Sequence, residues 1–165
     1  MKKLFAAALF VLAAGLVPVA AQTGNVAVGP IYSFNFLGFN SPLGGPGITG
    51  KIPGLAPIWG LAFSLTPKDS SYFLGLTADW QLYKQPLYEP FPLNYPPGPG
   101  FYLSALAAKN GRADLGLRIP IGVNWTPVKF IEVFTELTPA YGITFQDTIQ
   151  PAWLFQAGVG ARVWF

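Results

Sequence analysis

From Ala113 to Trp125 the chain alternates with a period of two. Ala113, Leu115, Leu117, Ile119, Ile121, Val123 and Trp125 hold one parity, and Asp114, Gly116, Arg118, Pro120, Gly122 and Asn124 hold the other. A helix would repeat near 3.6 residues, so this pattern predicts an extended strand with one oily and one small or polar face. The end of the chain repeats it. Trp153, Phe155, Ala157, Val159, Ala161, Val163 and Phe165 alternate with Leu154, Gln156, Gly158, Gly160, Arg162 and Trp164. The same reading gives seven strands: 25–36, 56–65, 71–84, 101–108, 112–125, 130–144 and 152–165.

The punctuation between them is that of hairpins. Asn110-Gly111 suits a turn whose central residues take positive φ. Thr66–Ser70, Thr126–Lys129 and Gln146–Gln150 are short and polar. Two longer stretches remain, Leu37–Pro46 and Pro86–Gly100, and the prolines of the second exclude a central strand. Closed barrels with oily outer faces normally have even strand counts. An eighth strand is therefore expected, at Gly47–Ile52 in preference to Pro86–Tyr95. With eight, both chain ends share one side, the turns at Asn110-Gly111 and Gln146–Gln150 lie opposite, and the proline-rich stretch falls on the side of the chain ends.

The start of the chain has a different character. Met1-Lys2-Lys3 is a short positive segment, Leu4–Val17 is apolar, and Pro18 precedes the small residues Val19-Ala20-Ala21. That order predicts a secretory signal over 1–21, cleaved after Ala21 and exported through the Sec pathway, with a single barrel domain over 22–165. The apolar run is shorter than the ~20 residues of a spanning helix. No later apolar run is long enough to span without interruption by Pro, Gly or a charge. Charged residues make up only 10% of the chain and hydrophobic ones 52%, which suits a protein whose outside faces lipid; an oily β-sandwich is the soluble alternative.

The net charge of +3 is not a nucleic-acid signature. Without Lys2 and Lys3 the ten basic residues fall to eight against seven acidic ones, and no basic cluster remains. The absence of Cys and His removes thiol nucleophiles, His bases and zinc sites built on those ligands. No cofactor or metal is expected.

Outside the turns, nearly all charges fall on the inward parity: Asp79, Asp114, Arg118, Glu132, Glu136 and Arg162. A narrow barrel has room for side chains rather than a channel, and buried charges must pair. Asp79, Arg118, Glu132, Glu136 and Arg162 are accordingly expected to form an ion network, with an Arg–Glu–Arg ladder across the last strands, Pro120 opposite Glu136 and Phe134 near Arg162. Glu132 and Glu136 invite comparison with a glycosidase pair, but neighbouring arginines favour ionised partners over a catalytic acid.

The segments Gly116–Gly122, Phe134–Pro139 and Gly158–Phe165 resemble the closing strands of small, largely uncharacterised outer-membrane β-barrel proteins known from spirochaetes and other bacteria, in the size class of OmpA and OmpX. Gly47–Lys51 looks like the short second strand of that family. The resemblance implies an eight-stranded antiparallel up-and-down transmembrane barrel in a bacterial outer membrane. It also implies that Phe165, with Val163 and the alternate apolar positions before it, is read by the barrel-assembly machinery. It assigns no activity. The expected protein is a monomeric, non-enzymatic outer-membrane barrel with a plugged polar lumen and a structural or surface-exposed role. An adhesin binding an extracellular protein through its loops and a narrow, porin-like pore are the alternatives.

Overall fold

The computed structural model describes residues 26–38, 44–66, 70–81, 85–88, 93–95, 98–108 and 111–165. The expected signal segment, its cleavage at Ala21, and most of the Leu37–Pro46 loop lie outside them. Among the described residues there are eleven strand segments: β1 (Ala27–Gly38), β2 (Gly45–Lys51), β3 (Ile58–Thr66), β4 (Ser71–Asp79), β5 (Gln85–Tyr88), β6 (Leu93–Tyr95), β7 (Gly100–Ala107), β8 (Arg112–Arg118), β9 (Ile121–Val128), β10 (Ile131–Phe145) and β11 (Ile149–Trp164). All pair antiparallel. The sheet runs β11-β1-β2-β3-β4-β7-β8-β10 and closes through β10–β11.

Register reduces the eleven segments to eight strands. Against β10, Arg118 faces Ala140 and Ile121 faces Leu137, so three residues pass on each side and β8 and β9 are one strand. Against that strand, Gly100 faces Arg118 and Asn94 faces Asn124, six residues on both sides, so β6 continues β7 without a slip. On the next ladder Asp79 faces Gly100 and Gln85 faces Tyr95, six residues against five, so β5 continues β4 with one extra residue.

The expected strand at Gly47–Ile52 is β2, the eighth member of the ring. Two other expectations need correction. The proline-rich stretch is not a long connection: it carries the lower ends of the fourth and fifth strands, and only residues 89–92 link β5 to β6. The regular ladder of the 71–84 strand stops at Asp79, and the 112–125 strand breaks at Ile119-Pro120 and runs on to Val128. Proline is the physical reason, since it has no N–H to give a ladder. Pro120 interrupts one strand, and Pro99 lies just before β7 in its neighbour, at the adjoining level.

Stepping from strand to strand at right angles, the path from Trp164 passes Ala27, Lys51, Ile58, Asp79, Gly100, Arg118 and Ala140 and returns to β11 at Leu154, ten residues higher. Eight strands with that stagger, at the usual strand spacing and rise, tilt by about 40° around a radius of about 8 Å. The stagger also explains the β5–β6 extension. On that flank the perpendicular path has already climbed, so the wall must continue below Asp79 and Gly100 to meet the rim formed by β9, β10 and β11.

The two faces differ sharply. The outward parity carries large exposed apolar side chains, among them Leu61, Leu65, Leu74, Leu117, Leu137 and Val159. Tyr72, Tyr141 and Trp153 sit outward in the half of the wall near the hairpins, and Trp125, Phe130 and Phe165 near the chain end. The inward parity carries the buried polar and charged residues.

Candidate functional site: the charged lumen

A small barrel fits large inward side chains only where the neighbouring strands supply small ones. Glu136 on β10 lies between Gly122 and Gly158, its partners on either side. Asp79 ends β4, and its partner on β7 is Gly100. A Cβ at Gly100 would run into the Asp79 carboxylate. The missing side chain lets Asp79 reach across β7 to Arg118 on β8.

Arg118 is the centre of the first cluster. Its Nε lies 3.0 Å from Asp79 Oδ1, an ion pair too poorly aligned to count as a hydrogen bond. Its NH2 donates to Glu136 Oε1 at 2.8 Å and its NH1 to Gln156 Oε1 at 3.3 Å. The residue is 5% exposed, so the guanidinium exchanges hydration for three protein partners on three strands.

The second cluster surrounds Glu132, which is 2% exposed. Arg162, its direct partner on β11, donates to Oε1 at 3.0 Å. Asn124 Nδ2 donates to the same oxygen at 2.9 Å, and Trp164 Nε1 donates to Oε2 at 2.7 Å. Arg162 also donates to Thr49 Oγ1 at 3.3 Å and lies over the Phe134 ring, 3.9 Å from its centroid. A third group sits near the hairpin end, where Asp114 accepts from Ser104 at 3.0 Å, Thr144 at 2.5 Å and Arg112 at 3.2 Å.

Between these charges and the hairpin end, Phe73, Tyr102, Ala140 and Leu154 pack against one another across the lumen, with Ala62 and Leu106 beside them. Two small cavities of about 40 Å³ each flank the Arg118 cluster. Each is enough for about three waters.

The five residues singled out from sequence thus stand together in the lower lumen, in a connectivity that differs from a continuous Arg–Glu–Arg ladder. Arg118 bridges Asp79 and Glu136, and Arg162 binds Glu132. Glu136 faces Gly122 rather than Pro120, because the β9–β10 turn is tighter than Pro127–Lys129 and the register moves by two. Phe134 does meet Arg162, through its ring face. Sequence reasoning missed Lys51, buried on β2, together with Asn124 and Gln156. The signal for Lys51 was its shared parity with Thr49.

At the chain end, Val163 faces outward between Val28 and Ile131, and the Phe165 N–H donates to the Val26 carbonyl at 2.8 Å. Among the described residues Asp79, Asp114, Glu132 and Glu136 each lie against an arginine. Among the described residues no group of three or more His, Cys, Asp or Glu side chains could hold a metal ion.

No protein-family model matches the chain, and none of the curated proteins compared with it matches. Among solved structures, Neisserial surface protein A (NspA) superposes with a TM-score of 0.51 at 15% identity, over 86% of this chain and 96% of that one. Ail, the attachment invasion locus protein of Yersinia pestis, gives a TM-score of 0.41 at 13% identity, over 86% and 99%. The likeness to NspA is one of fold: this chain has the closed, eight-stranded antiparallel barrel of the small OmpA and OmpX size class.

Proposed function

We propose that the mature chain is an integral outer-membrane barrel, exported after cleavage at Ala21, monomeric and non-enzymatic, whose lumen is plugged. The observation that carries the reading is the inversion of its faces. Leucines and aromatics stand exposed around the outside while Asp, Glu and Arg are buried within. In water that arrangement would cost many kcal/mol of exposed apolar surface; in hydrocarbon it costs none. The β5–β6 extension brings the linking segment at the chain-end side down to four residues, in keeping with short periplasmic turns.

The connections at the opposite end, 39–44, 67–70, 108–111 and 146–148, are also short. They offer little surface for a loop-built adhesin, and the apolar plug disfavours a pore. The role that fits is a structural component of the envelope. Reconstitution tests it: the unheated protein migrates differently from the boiled one on a gel, circular dichroism shows β-structure, and planar bilayers show no steady conductance. A freely soluble monomer in plain buffer refutes the placement. Ohmic conductance refutes the plug.

A further inference from the structure

On one flank the outer wall is not a simple convex surface. Ala78 and Phe101 point outward by register yet are buried, because Trp59 and Trp80 lean over them. Trp80 and Phe101 lie 5.7 Å apart between ring centroids, and Trp59 meets the same ring edge-on at 6.4 Å. This aromatic group forms a ridge beside the lower end of β7. Tyr141 and Ile143 on β10 form a second ridge. Between them, along β8, runs a groove of about 510 Å³ whose floor is made by Leu115 and Leu117 and the backbone of Gly116 and Gly142. Its frame is the paired ladders β7–β8 and β8–β10, so it is formed in advance of any ligand.

We infer that this groove holds one acyl chain of a bilayer lipid, retained longer than the lipid around the rest of the barrel. The inference rests on the membrane placement proposed above. In hydrocarbon a groove cannot stay empty without losing contacts along its lining. A peptide segment is a poor occupant, because its N–H and C=O groups would find no partners there. No charged side chain lines the groove, so no headgroup is drawn into it. Lipid tails are as apolar as leucine, so burial gives no hydrophobic gain; retention comes from contact on three sides instead of one. Leu117, 71% exposed, gains most by being covered.

The test compares two single-tryptophan forms of the mature protein, one keeping Trp80 and one keeping Trp153 on the far side of β10, the other tryptophans being replaced by Phe. Each is loaded in bicelles of phosphatidylcholine brominated on its acyl chains, then mixed with excess unbrominated bicelles. Fluorescence at Trp153 should recover at once and at Trp80 at least tenfold more slowly. Equal recovery overturns the inference and leaves the membrane placement standing; no quenching at either site overturns the placement. Native mass spectrometry of the wild-type chain gives a second measure that needs no tryptophan replacement. One phospholipid should stay bound per barrel and be lost in Leu117→Phe, which fills the groove. No retained lipid, or the same retention in both forms, refutes the site.

Discussion

Arg118→Met is the sharpest perturbation of the lumen. Methionine keeps the length and most of the volume of the stem, so the change removes charge without leaving a large void. Two carboxylates lose their cation at once, Asp79 at 3.0 Å and Glu136 at 2.8 Å, and Gln156 loses a donor. Arg118 is in ion-pair contact with both carboxylates at once. Breaking a buried pair and leaving its partner charged costs ~3–5 kcal/mol. With a urea slope of about 2 kcal/mol/M, the unfolding midpoint should fall by about 2 M. The assay is the fraction of folded, heat-modifiable band along a urea series in one fixed detergent. The triple variant Asp79→Asn, Arg118→Met, Glu136→Gln removes the stranded charges and should recover most of the loss. A single variant within about 0.5 kcal/mol of wild type would sink the reasoning, since surface pairs behave that way and buried ones do not. A triple variant no better than the single one would do so equally, by showing that methionine disrupts packing.

Gly100→Ala should lower stability by ~1–3 kcal/mol, because the new methyl must displace the Asp79 carboxylate; a midpoint equal to wild type would mean Asp79 does not cross β7. Arg162→Ala should cost less than Arg118→Met, about 2–3 kcal/mol, because Glu132 keeps Asn124 and Trp164 as donors, and the same urea series ranks the two. Leu61→Lys, outward at mid-height of β3, should cost ~2–4 kcal/mol in a bilayer. Folding yield into vesicles checks it, and an unchanged yield would argue that water bathes that face.

Where the sequence carries a two-residue period, the fold was legible. The inversion of faces at 113–125 and 152–165 follows from side-chain parity alone, and parity also assigns Asp79, Arg118, Glu132, Glu136 and Arg162 to the inside. The stretch from Gln85 to Tyr95 was not legible, because prolines that exclude a strand by propensity sit between short segments that pair in a register set by distant partners. The contact between Asp79 and Arg118 was equally hidden. It crosses an intervening strand, and only the glycine at position 100 makes the crossing possible. Pair distances in a barrel depend on stagger, which is a property of the closed ring and has no local signature. Lys51 escaped notice because glycines at 47 and 50 blur the alternation of its strand.

Under the membrane placement proposed above, the break in the wall constrains how deep the protein rides. Pro99 cannot donate a hydrogen bond, and Pro120 cannot on the strand beside it. Carbonyls facing those positions must be solvated, and oil offers nothing to solvate them. Under that placement the water line on this flank would run just below Gly100 and the groove, roughly 15 Å above the rim by the strand geometry. On the opposite flank, continuous pairing carries it down to Trp164 and Ala27. A barrel immersed unevenly must either lean or pinch the bilayer thin beside β6. Either way, water is brought close to the level of the Arg118 cluster from the side.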